Sequence, residues 1–225
     1  MKRNVNSLIG FSVAATDGEI GEVEDFHFDD ETWTIRYLIV KTGSWLSERK
    51  VLISREALLK DSFAASIFHV NMTMEQVQNS PDIDTDKPVS RQQEAKLNSH
   101  HFWGIYWEGG NYAGGMGVGN PPHVTPKESD KTGEDFHLRS AKEVSGYRIH
   151  ALDGEIGHVN NFIVDDENWQ LLNFVVDTHN IIGGKKVLIS VKDVRFISFT
   201  NWEVFVNLPI ADVEGCELFE ESKYE

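Results

Sequence analysis

Hydrophobic and polar residues alternate imperfectly along residues 20–28, which closely follow the pair Asp17-Gly18. An Asp-Gly pair is a strong hairpin signal, because glycine adopts the positive φ that such turns need and aspartate tolerates it. Val23 and Phe26 are an odd number of residues apart, so both can point to one face only if the strand contains a bulge near residues 24–25. The pattern therefore predicts a hairpin with a bulged strand.

The residues after this hairpin predict more β-structure. Residues 33–42 (WTIRYLIVKT) are rich in β-branched and aromatic side chains, which is typical of a central strand covered on both faces. Short strands are also predicted at residues 50–54 (KVLIS) and 66–72, and a helical turn at 74–77. Short strands at close spacing, separated by Gly and Asp turns, indicate a small barrel or sandwich.

The whole pattern returns 136 residues later, so that Asp17 corresponds to Asp153 and Trp33 to Trp169. Residues 10–54 and 146–190 align without a gap and are identical at 20 of 45 positions. A repeat of this length that occurs twice indicates two small domains rather than a solenoid. We therefore predict an all-β protein with tandem domains at residues 5–80 and 141–216, joined by a linker at 81–140.

The predicted linker has a helical part, an aromatic part and a Gly-rich part. Residues 88–103 predict a short helix with Ser90 as its N-cap. Residues 108–135 are rich in Gly and Pro, and between the two lies an aromatic block. This block consists of Phe102, Trp103, Tyr106 and Trp107.

Four exposed aromatic side chains would be costly, because each can bury roughly 150–250 Å². One interpretation is that the aromatic block packs against the two domains or across a homodimer, since small domains are marginally stable alone. The other is that it docks a partner protein, because aromatic residues dominate interface hot spots. We therefore treat Phe102, Trp103, Tyr106 and Trp107 as the candidate partner-binding residues.

Charge and cysteine content narrow the range of partners and compartments. The 225 residues carry a formal net charge of −15, which disfavours binding to nucleic acids and to anionic membrane surfaces. The single cysteine, Cys216, excludes an internal disulfide and is compatible with a reducing cytoplasm. No signal peptide or membrane-spanning segment is apparent, so we expect a soluble cytoplasmic protein.

Carboxylates are the first candidates for chemistry. The stretch that starts at Asp17 fails the spacing of an EF-hand calcium loop, because Gly21 and Phe28 stand where ligands are needed. The acids at 29–31 are better explained as turn residues that accept hydrogen bonds from nearby backbone N–H groups. A proton path through Glu22, Glu24, Asp25 and His27 is not repeated, since residues 158, 160, 161 and 163 are His, Asn, Asn and Ile. We therefore expect these four side chains to be solvated.

Neither the positions of the histidines nor the sequence motifs indicate an enzyme. His150 and His158 flank the second Asp-Gly turn and could face each other across a hairpin, but no third metal ligand accompanies them. No motif of a zinc protease, a serine hydrolase or a nucleotide-binding loop is present. We predict no catalytic, cofactor-binding or metal-binding residue.

The two copies resemble the PRC-barrel family. The shared features are the hairpin pattern DG-x-IG-x-V at residues 17–23 and 153–159, the acidic turn and the apolar strand that follow. This β-barrel module occurs in the H subunit of purple-bacterial reaction centres and in a ribosome-maturation factor. The resemblance implies two PRC-type barrels in tandem and a habit of docking on proteins.

The function expected from this resemblance is a non-catalytic adaptor or scaffold that binds proteins. One setting is peripheral attachment, through a protein partner, at the membrane face of an electron-transfer complex. The alternative is a factor associated with ribosome or RNA maturation that binds a ribosomal protein, although the net charge of −15 disfavours it.

Overall fold

The computed structural model describes residues 1–59, 66–81, 89–101, 136–178 and 184–224, and these residues are mostly β-structure. None of the helices within these ranges is both long enough and apolar enough to cross a bilayer. We refer to strands β2–β6 as the first copy and to strands β9–β14 as the second copy. The strands up to the first copy's end and the helix after them are β1 (Lys2–Asn4), β2 (Ser12–Ala14), β3 (Glu19–Asp29), β4 (Thr34–Thr42), β5 (Lys50–Ser54), β6 (Ile67–His69) and α1 (Met74–Gln78).

A middle region and the second copy follow. The middle region contains β7 (Val89–Ser90), α2 (Arg91–His101), β8 (Phe136–Ser140) and α3 (Ala141–Val144). The second copy and its last helix contain β9 (Arg148–His150), β10 (Glu155–Asp165), β11 (Gln170–Asp177), β12 (Lys186–Ser190), β13 (Val194–Ser198), β14 (Glu203–Val206) and α4 (Ile210–Glu214).

Both copies pair their strands in the same way. In the first copy, β3 pairs antiparallel with β2 and β4, β4 pairs with β5, and β2 runs parallel to β6. In the second copy, β10 pairs antiparallel with β9 and β11, β11 pairs with β12, and β9 runs parallel to β14. The predicted hairpin is confirmed, and so is its bulge, since the β3–β4 register shifts between Val23 and Asp25.

Gly21 explains why a glycine stands four residues after each Asp-Gly turn begins. Its φ is +157°, and a Cβ atom there would lie 2.0 Å from the carbonyl oxygen of Lys41 on β4. Gly157 repeats this geometry, with φ +150° and a Cβ position 2.0 Å from the carbonyl oxygen of Asp177. No side chain fits at these crossings, so the hairpin closes only around glycine.

The first strand of each repeat pairs with the other copy. β1, which precedes the first copy, pairs antiparallel with β10 of the second copy at residues 163–165. β8, which precedes the second copy, pairs antiparallel with β3 of the first copy at residues 27–29. Because residues 2–4 and 138–140 are related by the same offset of 136, the exchange is reciprocal. The last residues of the linker that we predicted at 81–140 therefore form a strand of the first copy's sheet.

The copies also join directly through their acidic turns. The backbone N–H of Ile35 donates to the carbonyl of Trp169 at 2.9 Å, and Leu171 N–H donates to the carbonyl of Trp33 at 2.7 Å. Both tryptophans have positive φ, +54° for Trp33 and +61° for Trp169. Each indole packs on the opposite copy, so one hydrophobic core runs through both. The ring pairs across the junction are Trp33 with Phe174, Trp169 with Phe26 and Phe68, and Phe28 with Phe162.

The outer faces of the two copies are covered differently. On the first copy, Tyr37, Ile39 and Leu52 form a buried cluster with Leu97 of α2 and Leu138 of β8. On the second copy, Ile163, Val175 and Leu188 cluster with the C-terminal residues Phe219 and Tyr224. The outer face of the first copy thus lies under a helix and an exchanged strand, and this is where its polar residues become buried.

Candidate functional site

The acidic turn of the first copy holds the exchanged strand. Asp29 accepts hydrogen bonds from the backbone N–H groups of Glu31 (2.9 Å) and Thr32 (2.7 Å), which confirms the role expected for a turn residue. Asp30 accepts a hydrogen bond from Nε of Arg139 on β8 at 2.6 Å. Burial raises the pKa of Asp30, and the Arg139 guanidinium opposes that shift.

The acidic turn of the second copy repeats this arrangement with β1. Nε of Arg3 donates to Asp166 at 2.7 Å, and Arg3 and Asp166 are the equivalents of Arg139 and Asp30. The amino group of Met1 donates to the other carboxylate oxygen of Asp166 at 2.5 Å. The second acid of each turn therefore binds the arginine of an exchanged strand. In the described part of the chain, no group of three His, Cys, Asp or Glu side chains could hold a metal ion.

Asp25 lies at the β3 bulge and also binds the exchanged segment. Its carboxylate accepts hydrogen bonds from Phe26 N–H (2.7 Å), Lys142 N–H (2.9 Å) and the hydroxyl of Ser140 (2.5 Å). Asp25 is 7% exposed, so the expectation that it is solvated was wrong. The physical reason is that β8 and α3 cover the bulge and supply its hydrogen bonds.

Asn161 occupies the equivalent position at the bulge of the second copy and also binds an exchanged strand. Its side-chain oxygen accepts from Phe162 N–H at 2.8 Å, and its amide nitrogen donates to Asn4 of β1. Asn4 and Ser140 are equivalent positions on the exchanged strands. Each copy therefore fastens the strand it receives through its bulge residue, with a carboxylate in the first copy and a neutral amide in the second.

His27 is the most unusual buried group of the site. It is fully buried, and neither ring nitrogen makes a hydrogen bond. The nearest charge is Asp25, whose Oδ2 lies 3.7 Å from Nε2 of His27. Burial lowers the pKa of His27 and Asp25 opposes this, so the ring is neutral near pH 7. The expectation of a solvated His27 was wrong because β8 covers it, and its equivalent in the second copy is the buried apolar residue Ile163.

A polar network ties α2 to strands β4 and β8 of the first copy's sheet. The hydroxyl of Tyr37 on β4 donates to Oε1 of Glu94 at 2.8 Å. The other carboxylate oxygen of Glu94 lies 2.9 Å from Nε2 of His137 on β8, and that nitrogen is also 4.0 Å from Asp29. Glu94 has no exposed surface. Its charge is thus buried with two partners, which fixes α2 in one position because either partner left alone would be destabilised.

Comparison with known families identifies the first copy. Residues 2–71 match the family model of the PRC-barrel domain. These residues form a PRC-barrel domain. The match covers β1 to β6, so it includes the strand that pairs with the second copy. Among curated proteins, no match to the chain is found.

A shallow groove runs beside the PRC-barrel domain where the exchanged strands enter. Its volume is about 520 Å³, and its walls are mainly apolar, with Val5 and Ile9 on one side and Ala141 on the other. Asp25 and Lys142 contribute polar atoms. A smaller cavity of about 350 Å³ lies next to it, between Glu24, Lys50, Lys142 and Glu143. Asp25 borders both spaces, and its carboxylate is already hydrogen-bonded within the protein.

The remaining candidate residues from the sequence are the two histidines, Cys216 and the aromatic block. His150 pairs with Glu155, and His158 pairs with Arg148, so the two histidines do not face each other across the hairpin. Burial raises the pKa of the Cys216 thiol, with a further rise from Asp193 and Asp212, which disfavours a nucleophilic thiolate. Phe102, Trp103, Tyr106 and Trp107 lie outside the described residues, directly after α2. Their partner-binding role stays a prediction.

The sequence reasoning missed the two arginines that matter most here. Arg3 and Arg139 are the only identical residues shared by the exchanged strands Lys2–Asn4 and Leu138–Ser140. The available signal was that these arginines keep the offset of 136 that also relates Asp30 to Asp166. One identity in a segment of three residues is too weak to recognise until the pairing is known.

Proposed function

We propose that the chain is a non-catalytic scaffold or adaptor that uses two PRC barrels in tandem to bind other proteins. The observation that carries this proposal is the PRC-barrel domain at residues 2–71, a module that suggests protein interaction. The second barrel is inferred from the second copy, whose strands pair in the same order and whose bulge and acidic turn are used in the same way.

The chemistry of the buried polar groups supports a binding role over catalysis. Asp25, Asp30 and Glu94 are each satisfied by donors within the protein, at distances of 2.5–2.9 Å. A general acid or base has to reach a substrate, typically within 2.6–3.2 Å. Carboxylates that are occupied by structural donors, under a strand and a helix, are poorly placed for that task.

The proposed setting is the cytoplasm, with recruitment to the membrane face of an electron-transfer complex through a protein partner. What supports it is the family resemblance together with the net charge of −15, which favours a protein partner over direct contact with an anionic bilayer.

The test is affinity capture with the full-length chain, followed by measurement of binding to the purified partner. The variant carries Phe102→Ser, Trp103→Ser, Tyr106→Ser and Trp107→Ser. The matched control is Trp202→Ser, which removes a tryptophan that is 63% exposed but lies in the second copy. We expect the quadruple variant to weaken binding by about thirtyfold or more, the effect of losing a hot spot of about 2 kcal/mol, and the control to bind normally.

Two outcomes would contradict the proposal in different ways. If no protein binds the wild-type chain above a bait of equal charge, the scaffold function is wrong. If a partner binds both variants equally well, the function stands but the aromatic block is not the docking surface. Sedimentation with ribosomal subunits, retained in salt above 0.2 M, would instead favour the maturation-factor alternative.

A further inference from the structure

We propose that His27 makes the grip of the first copy on strand β8 sensitive to acid, so that mild acidification releases β8 while β1 stays bound to the second copy. This regulatory device goes beyond the scaffold function and does not depend on which protein is bound. It rests on a difference between β3, which receives β8, and β10, which receives β1.

At the positions beneath the exchanged strand, β3 and β10 differ in one ionisable pair. Beneath β8 the first copy has His27 and Asp25, whereas beneath β1 the second copy has Ile163 and Asn161. His27 is fully buried with no hydrogen bond to either ring nitrogen. A charged imidazolium in that position would have no hydrogen-bond acceptor nearby except a carboxylate oxygen 3.7 Å away. Burial of an unpaired charge is strongly unfavourable, so protonation favours any opening that lets water reach the ring.

Asp25 is not free to compensate. Its carboxylate already accepts from Phe26 N–H, Lys142 N–H and the hydroxyl of Ser140. To move towards an imidazolium it would have to give up Ser140 or Lys142, and these are the bonds that hold the exchanged segment. Both responses to a proton, exposure of the ring or movement of Asp25, therefore weaken the attachment of β8.

The strands that pair with β3 around His27 indicate which of them separates more easily. β4 pairs with β3 along residues 21–29, whereas β8 pairs with β3 only along residues 27–29. The shorter pairing has the lower free energy of local opening. The buried titratable or charged groups on the elements packed around His27 are Asp25 and Asp29 on β3, Tyr37 on β4, His137 and Arg139 on β8, and Glu94 on α2. Lys142 and Glu143 on α3 lie next to Asp25.

The sign of the pH dependence follows from the neutral state of His27. Its pKa in the closed state is below the ordinary value of 6.5, so the open state binds a proton that the closed state does not. Above about pH 6.5 the attachment of β8 to β3 has its full stability. As the pH falls below that value, the opening equilibrium of β8 rises by up to about tenfold per pH unit until the closed state also takes up the proton.

Release would expose a defined surface. The edge of β3 at residues 27–29 would lose its neighbour, and Asp30 would lose Arg139. An open strand edge beside an unpaired carboxylate is a template for adding an extended segment with a basic residue.

The experiment is hydrogen exchange of the full-length protein between about pH 7.5 and pH 5.5, corrected for the intrinsic exchange rate at each pH. Segment 137–140 reports on β8, and segment 2–4 of the same molecule is the internal control. We expect protection of 137–140 to fall by up to about tenfold per pH unit, while protection of 2–4 stays constant. Constant or increasing protection of 137–140 in the wild-type protein overturns the proposal, and this comparison needs no variant.

Two variants then assign the effect to His27. His27→Ile installs the residue that the second copy has at the equivalent position, and Ile163→His makes the opposite change. We expect the first to make segment 137–140 insensitive to pH and the second to make segment 2–4 sensitive. If His27→Ile does not fold, His27→Gln provides a neutral polar replacement. A wild-type pH response that persists in a folded His27 variant assigns the effect to another group and overturns the proposal.

Discussion

Nε of Arg139 donates a hydrogen bond of 2.6 Å to Asp30, and this bond joins a strand that precedes the second copy to the acidic turn of the first. Because the side chains are only 9% and 17% exposed, removal of one partner leaves a poorly solvated charge. We expect Arg139→Ala to lower the free energy of unfolding by about 3 kcal/mol, measured by urea denaturation. Arg3→Ala should cost less, since Arg3 is 21% exposed.

The control for this prediction is Lys223→Ala, which removes a surface pair with Glu220 that is about half exposed on both sides. Its effect should stay below about 1 kcal/mol. A double-mutant cycle with Asp30→Ala and Arg139→Ala should show coupling of about 1–3 kcal/mol. Additive single effects would mean that the ion pair does not hold β8.

Gly21 should not tolerate any side chain. Gly21→Ala places a Cβ about where the carbonyl oxygen of Lys41 already lies, at 2.0 Å, so β3 and β4 must separate. We expect a loss of at least about 3 kcal/mol in the free energy of unfolding. The matched change is Gly43→Ala, whose Cβ would meet only the Trp45 ring at 3.4 Å. A similar loss in both variants would show that the crossing is not the cause.

Trp169 should stabilise the first copy although it belongs to the second. Its ring lies 6.0 Å from that of Phe26 and 5.9 Å from that of Phe68, measured between centroids. Trp169→Ala should lower the free energy of unfolding by about 4 kcal/mol, and NMR shift changes should appear at Phe26 and Phe68. Trp202→Ala, at a residue 63% exposed, should change stability by less than about 0.5 kcal/mol. Shift changes confined to the second copy would contradict the shared core.

Glu94 should anchor α2 through its buried carboxylate. Glu94→Ala removes the buried carboxylate that Tyr37 and His137 both contact, and we expect a loss of about 3 kcal/mol. Glu94→Gln keeps one acceptor oxygen and the shape, so it should lose roughly half as much. Lys96→Ala, at an exposed position on the same helix, is the control. Thermal unfolding provides the measurement, and a Glu94→Gln variant as stable as the wild-type protein would argue against the charge as the cause.

His101 at the end of α2 should contribute a second acid-sensitive contact. Burial and the neighbouring His100 lower the pKa of His101 to about 4, and its Nε2 lies 2.8 Å from the hydroxyl of Ser80. Because the folded-state pKa is lower than the unfolded value of about 6.5, the unfolded state takes up the proton first. The stability due to neutral His101 is therefore complete above about pH 6.5 and declines as the pH falls towards 4.

The check is the free energy of unfolding across this pH range for wild-type protein and His101→Gln. The variant should show a flatter decline between about pH 6.5 and pH 4. If both proteins decline in parallel, His101 does not titrate in the predicted range. Because His27 is intact in both proteins, its own contribution cancels in the comparison.

Local features of the fold were predictable from the sequence because their causes lie within a few residues. The Asp-Gly turn, the bulge required between Val23 and Phe26, and the short helix after Thr73 all follow from local steric and periodic rules. Trp33 was expected to open a strand, but its φ of +54° places it in the turn, and β4 begins at Thr34. Nothing in its residue type indicates a left-handed conformation, because the cause is the hydrogen bond that its carbonyl accepts from Leu171.

The candidate site was less predictable because its parts come from distant segments. Asp25 and His27 are buried by β8, which lies more than a hundred residues later in the chain. The change from Asp25 to Asn161 was interpreted as a sign that Asp25 is an ordinary solvated residue, since the acidic cluster is not repeated. The structure shows that the two side chains have nearly the same shape and both fasten an exchanged strand. Comparison of charges therefore missed a role that depends on hydrogen-bond geometry.

The reciprocal strand exchange has a consequence for synthesis on the ribosome. The first copy ends at β6, but the edge of β3 is completed only when residue 140 has been made, about seventy residues later. At typical translation rates this interval lasts roughly 4 to 14 s. During that time the nascent first copy presents an open strand edge and an unpaired Asp30, which makes it a substrate for chaperones or for pairing with a neighbouring chain.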